Sequence, residues 1–128
     1  MKNQEKSGSN VFPPSGERGL LVVLGGGESG VGTAILGKQK GYTVFVSDAR
    51  SIAQKYKEVL LHHDIDFEEN QHTEAAIFNA TLVMKSPGIP EKAPIVKKLL
   101  ELKIPVISEI EFAGQFTNAT IVGITGSN

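Results

Sequence analysis

At 128 residues, with 40% apolar and 21% charged side chains, the chain suits a single soluble globular domain with a core of its own. A net charge of -1 supplies no field favouring nucleic acid or an anionic membrane surface. With no cysteine, a disulfide framework and a thiolate zinc site are excluded, which fits a reducing compartment.

Residues 1–18 are polar and rich in Ser, Gly and Pro, and are expected to form a flexible arm. They contain no apolar run of the signal-peptide kind, and nowhere does the chain approach the length of apolar residues that spans a bilayer. At Leu20-Leu21-Val22-Val23-Leu24 an apolar strand runs directly into Gly25-Gly26-Gly27-Glu28-Ser29-Gly30. Gly25, Gly27 and Gly30 fit G-x-G-x-x-G, the strand–turn–helix loop that cradles a pyrophosphate. In that reading Gly25 permits the sharp turn, Gly27 lets an anion approach the backbone, and Gly30 lets the helix pack close to the strand. The helix then directs free N–H groups and its positive dipole end at the anion. Val31, Ala34, Ile35 and Lys38 continue at helical spacing, and Gly41 is placed to stop the helix.

Tyr42 to Ser47 reads as a buried strand ending at Asp48-Ala49-Arg50. Asp48 lies about 20 residues beyond the loop, where dinucleotide-binding folds keep a ribose-binding acid. Ser51 is expected to cap a helix reaching about His63, with Ile52, Tyr56, Val59 and Leu60 on one face. A short strand over 65–69 and a short helix from Thr73 to Phe78 follow. Thr81 to Met84 is a further strand, ending in Lys85-Ser86-Pro87-Gly88-Ile89-Pro90. Pro94 suits the first turn of the next helix. Pro105 to Ile107 is a strand, residues 109–116 a helix, and Ala119 to Ile124 a last strand running into Thr125-Gly126-Ser127-Asn128.

Strands that are continuous apolar runs, alternating with helices, predict a doubly wound, mainly parallel α/β sheet of Rossmann-like type with helices on both faces. The loops at Gly25–Gly30, Asp48–Arg50 and Ser86–Gly88 each follow a strand. They are therefore expected to share the ligand-binding edge. His62, His63 and His72 lack metal-ligand spacing and read as surface or helix-end histidines, with no metal expected. Glu109 and Glu111, two apart on a helix, do not share a face and read as structural or domain-contacting. The terminal Thr125-Gly126-Ser127-Asn128 resembles the start of a phosphate-binding P-loop without its lysine. The expected organisation is thus an arm over 1–18, a nucleotide-binding domain over 19–118, and over 119–128 the first strand and partial P-loop of a second, truncated domain.

The glycine loop and Asp48 alone would serve a nucleotide-linked substrate or the NAD or FAD of a redox enzyme or sensor, and on that pair alone NAD is favoured. A self-sufficient nucleotide-sensing module is a third reading, which the P-loop stub argues against. The full ordered set is more specific. A G-x-G-x-S-G loop, Asp-x-Arg, Ser-Pro-Gly-Ile, Ser-Glu-Ile-Glu and Gly-Ile-Thr-Gly-Ser-Asn, from Leu20 to Asn128, closely resembles the N-terminal part of the Mur ligases. Ser86-Pro87-Gly88-Ile89 resembles the D-glutamate-adding branch more than the L-alanine-adding one.

That resemblance implies a bacterial cytoplasmic enzyme of peptidoglycan synthesis that joins D-glutamate to UDP-N-acetylmuramoyl-L-alanine through an acyl phosphate. ATP and magnesium would be bound by a central domain and the incoming amino acid by a C-terminal one. The chain itself would be a monomer without catalytic residues, inactive alone, with neither nucleic acid nor membrane as partner. Gly27, Glu28, Ser29 and Gly30 match the family's diphosphate loop. Asp48 and Arg50 match its uracil-binding segment, where Ala49 replaces a hydroxyl residue of some members. Ser86, Pro87 and Gly88 match the loop near the diphosphate and sugar, and Thr125, Gly126, Ser127 and Asn128 the partial ATP loop.

Overall fold

A computed structural model describes residues 18–116. The expected arm up to residue 17, and the strand and partial P-loop at 119–128 with Thr125, Gly126, Ser127 and Asn128, lie outside the described residues. Arg18, assigned above to the arm, belongs to the folded unit. Its N–H donates to the Gly41 carbonyl at 3.2 Å, and its guanidinium stands 5.9 Å from the Tyr42 ring centroid.

Five strands and five helices alternate. They are β1 (Leu20–Leu24), α1 (Glu28–Gln39), β2 (Thr43–Ser47), α2 (Gln54–His62) and β3 (Asp66–Glu68). The second half comprises α3 (Glu74–Ile77), β4 (Leu82–Lys85), α4 (Pro94–Glu101), β5 (Val106–Ser108) and α5 (Glu109–Gly114). All sheet pairings are parallel, in the order β3-β2-β1-β4-β5. This is the expected doubly wound α/β fold.

The central strand explains the missing hydrophobic alternation. In β1, Leu21 and Val23 enter one apolar cluster and Val22 and Leu24 the other, and all four are fully buried. A strand covered on both faces has no polar side to display. The first cluster also takes Val31 and Ala34 of α1, Leu60 of α2 and Phe112 of α5. The second takes Ile77 of α3 and Leu99 of α4. The helices therefore cover both faces. β1 pairs with β2 on one side and β4 on the other, so the winding reverses at β1, where open α/β sheets form a ligand crevice at their strand C-termini.

Local signals are realised where the backbone demanded them. Gly41, at φ 101°, ends α1, and Pro94 occupies the first turn of α4. Ser51 is a correction. It does not cap α2, which starts at Gln54 behind Ala53 without a side-chain cap. Instead Ser51 Oγ donates to Asn70 Oδ1 at 3.1 Å. The segment stays extended because it is laced to the chain leaving β3: Gln71 N–H donates to the Asp48 carbonyl, Asn70 N–H to the Arg50 carbonyl, and Ile52 N–H to Glu69 Oε1. Those bonds outcompete an earlier helix start.

Candidate functional site

Three loops leave the C-terminal ends of β1, β2 and β4 and enclose a cleft of about 780 Å3. From β1, the chain turns at Gly25, whose φ of 109° is a conformation that side chains resist. Gly27 is the N-cap residue of α1 and supplies no side-chain cap, so the first N–H groups of this twelve-residue helix are left for a ligand. A Cβ at Gly27 would meet no described atom within 4 Å, and the residue lines the cleft with Glu28 and Ser29. Glu28 suits the helix dipole. Its carboxylate would repel an anion, so its part in holding one falls to its backbone N–H. Gly30 is buried beneath the loop and does not line the cleft. A Cβ there would overlap the Gly25 carbonyl oxygen, so Gly30 is the close-packing glycine of the motif.

From β2, Asp48, Ala49 and Arg50 reach the same cleft. The Asp48 carboxylate is already employed within the protein. Its Oδ2 accepts the Gly26 N–H at 2.8 Å and its Oδ1 the Arg50 N–H at 2.9 Å. Asp48 thus ties the glycine loop to the turn after β2, a role that spacing alone did not suggest. Each oxygen retains a second lone pair for a ligand. Arg50 is exposed.

From β4, Ser86, Pro87 and Gly88 form the opposite rim. Lys85 Nζ donates to the Ile89 carbonyl at 2.6 Å and closes this loop. The cleft also has an apolar wall, made by Ile89, the last residue of the Ser-Pro-Gly-Ile motif, with Pro90 and Ile95, none of which is assigned to the site from sequence. Ile95 stands in the first turn of α4, behind Pro94. It is only partly buried, and nothing in its local sequence marks it as a cleft residue.

His72 is the other residue missed. Expected as a surface or helix-end histidine, it lines the cleft from the loop after β3. Its Nδ1 is 2.7 Å from Ser47 Oγ, which is fully buried at the end of β2. Ser47 Oγ donates to Glu68 Oε2 at 2.7 Å. Glu68 further accepts from the Thr73 N–H at 2.7 Å and the Thr73 hydroxyl at 2.6 Å. Burial opposes ionisation of Glu68. The Thr73 and Ser47 hydrogen bonds, with attraction to the protonated form of the His72 ring, outweigh it, so the carboxyl is held below its ordinary value of 4.5. Glu69 is likewise lowered, by the Ile52 N–H and then by Lys57, whose Nζ lies 2.9 Å from Oε2. Among the described residues no group of three or more His, Cys, Asp or Glu is placed to hold a metal ion.

A pH dependence follows from Glu68. The unfolded chain takes up this proton near 4.5 and the folded chain only at lower pH. The stabilisation is therefore whole above about pH 4.5 and is lost as pH falls through the depressed folded-state value. Glu68→Gln is expected to cost about 1 kcal/mol at neutral pH, and the difference from wild type should close on acidification. Thermal melts across that range check this. A gap that widens in acid would give the shift the opposite sign.

Glu111, left open between structural and domain-contacting roles, is engaged locally. Its Oε1 accepts the Ser108 N–H at 2.9 Å while Ser108 Oγ accepts the Glu111 N–H at 3.1 Å, a reciprocal capping box at the start of α5.

Known proteins place this arrangement. Similar curated sequences are named UDP-N-acetylmuramoylalanine–D-glutamate ligase. The one from Christiangramia forsetii is 60% identical over 108 residues, covering 84% of this chain and 24% of the relative. The one from Bacteroides thetaiotaomicron is 56% identical with the same coverage. The chain therefore spans about a quarter of the length of these relatives. Among solved structures, a murein peptide ligase from Psychrobacter arcticus superposes with a TM-score of 0.68 at 21% identity, over 77% of this chain and 20% of that one, a likeness of fold. The profile of the family described as MurD N-terminal domain matches residues 21–95, from β1 through the Ser86–Gly88 loop to the start of α4, and so takes in all three loops of the cleft: the chain belongs to that family.

Proposed function

We propose that the cleft holds the UDP portion of UDP-N-acetylmuramoyl-L-alanine, and that the chain is the substrate-binding part of a ligase that adds D-glutamate in peptidoglycan synthesis. The observation that carries this reading is the convergence of the three motif loops on one cleft at an uncapped helix N-terminus, in a chain of this family. A diphosphate suits the open face at Gly27, with the α1 N–H groups and Ser29 Oγ as donors. Arg50, exposed at the rim, is free to stack on a pyrimidine or donate to its carbonyls. Ser86 offers a hydroxyl, beside Pro87 and Gly88, on the sugar side. The NAD or FAD alternative draws support from the fold, the glycine loop and the position of Asp48, features that such sheets share across many ligands, and family membership favours the UDP reading.

In the parent enzyme, ATP with magnesium would activate the substrate carboxylate as an acyl phosphate for attack by the D-glutamate amine. The residues assigned to ATP, Thr125 to Asn128, lie outside the described residues. What the described residues contribute is binding and orientation of the nucleotide end. The same reading makes the chain a cytoplasmic monomer that is inactive alone. No helix among the described residues is long and apolar enough to cross a membrane.

Titrating the chain with UDP, UDP-N-acetylmuramoyl-L-alanine and NAD, by calorimetry or NMR, tests the reading. Saturable binding of both UDP ligands, with shifts at Gly27–Gly30 and Asp48–Arg50, is expected. NAD binding with UDP silent would overturn it. Gly27→Val provides the local control. The backbone at Gly27, φ -85° and ψ -163°, accepts a β-branched residue, and its Cβ would stand in the open cleft. The variant should fold and lose roughly tenfold or more in UDP affinity, about 1.4 kcal/mol. A folded variant that binds normally would remove this loop from the phosphate site.

A further inference from the structure

His72 is explained neither by the fold nor by the motifs. It sits in the cleft with Nδ1 turned to a buried hydroxyl, and its Nε2 has no hydrogen-bond partner among the described residues. Counting protons around Ser47 fixes which ring nitrogen is protonated. Ser47 Oγ has one proton and lies 2.7 Å from both Glu68 Oε2 and His72 Nδ1, and 3.2 Å from the Gln71 carbonyl oxygen, the longest of the three contacts and one to an uncharged acceptor. An ionised carboxylate only accepts, so the contact with Glu68 consumes the serine proton. Were that proton given to His72 instead, two oxygens would face each other at 2.7 Å with no hydrogen between them. The Nδ1 must therefore carry its own proton and donate it to Ser47 Oγ. In the neutral ring this leaves Nε2 as a bare acceptor.

Building on the UDP reading, we propose that His72 is a specificity-determining residue: its neutral Nε2 accepts a hydrogen bond from the nucleoside half of the ligand, with the Ser47–Glu68 pair holding the ring in that tautomer. The donor is a ribose hydroxyl or the imide N–H of the base. Two placements support it. The sheet order sets β3 beside β2, so the loop carrying His72 flanks Asp48–Arg50, the segment proposed to meet the nucleoside. Asp48 already accepts two backbone N–H groups, which leaves His72 as a neighbouring acceptor without a protein donor.

Two measurements on the full chain decide it. Nitrogen-15 NMR of the histidine rings in alkaline buffer should show His72 protonated at Nδ1. An Nε2–H tautomer would overturn the proposal before any ligand is added. Calorimetry then compares wild type with His72→Leu against UDP, 3-methyl-UDP and 2′,3′-dideoxy-UDP. His72→Leu should bind UDP roughly tenfold more weakly, the scale of one lost hydrogen bond. The analogue lacking the partner donor should lose a similar factor on wild type and nothing further on His72→Leu, which identifies imide or hydroxyl. His72→Gln, retaining an amide acceptor, should recover part of the loss. Equal UDP affinity for wild type and His72→Leu, or equal analogue losses on both, overturns the role of His72 while leaving the UDP reading intact. A wild type that does not bind UDP overturns both.

Discussion

Gly30→Ala is expected to destabilise the domain, although replacing glycine by alanine inside a helix ordinarily stabilises by up to about 1 kcal/mol. At Gly30 the added Cβ would overlap the Gly25 carbonyl oxygen and stand 3.4 Å from Val23 Cγ1. The obstruction on one side is backbone, held in place by the turn at Gly25, and cannot rotate away as a side chain could. Relief requires α1 to lift from β1, which loosens Val31 and Ala34 from the cluster they share with Leu21 and Val23. Overpacking of this kind costs about 1–3 kcal/mol and occasionally more. The helix preference gained by alanine offsets part of that cost, and the melting temperature should fall by roughly 4–8 °C per kcal/mol of the net loss. The control lies two residues along the same helix. Gly32 is exposed and its Cβ would meet no described atom within 4 Å, so Gly32→Ala should raise stability. Paired melts of the two variants should therefore move in opposite directions. If Gly30→Ala melts at or above wild type, the close approach of helix and strand is not what glycine serves there.

Asp48→Ala is expected to lower stability and affinity together. Removal of the carboxylate strands the Gly26 N–H, which is buried and packed against Ile52. An unsatisfied buried donor costs about 1–3 kcal/mol. The Arg50 N–H is exposed at the loop and can turn to water. The lost bonds also untie the glycine loop from the turn after β2, so the two halves of the proposed site no longer hold one geometry. UDP affinity should fall by about 1–3 kcal/mol, or roughly 5–150-fold. Asp48→Asn retains one acceptor oxygen and should fall between alanine and wild type in stability. Denaturation and titration of the same samples separate the two roles. A loss of affinity without loss of stability would reduce Asp48 to a ligand contact. Unchanged stability and affinity would remove it from both.

What the sequence by itself determined is local in origin. Unbroken apolar runs can be stabilised only inside a sheet covered on both faces, so they disclose the parallel α/β architecture. Gly25, Gly30, Gly41 and Pro94 disclosed turns and helix ends because positive φ, close approach and a fixed φ each admit few residue types. The rule that such folds bind at their strand C-termini then indicated one edge, and the described cleft lies there. Ser108 and Glu111 carry a local signal too, Ser-x-x-Glu, but Glu111 reads from sequence only as structural or domain-contacting, and the capping box is found in the structure. What only the tertiary structure decided concerns partners distant in sequence. Ser51 is a good cap in isolation, yet its segment is laced to residues 68–71. Asp48 looks like a ligand acid, yet its carboxylate meets the backbone of Gly26, 22 positions away. His72 reads as an isolated histidine in a polar loop until β3 pairs with β2 and sets its ring against Ser47, 25 positions earlier. Hydrogen bonds of this kind depend on which strands become neighbours and in what register, and no local window of sequence contains both partners.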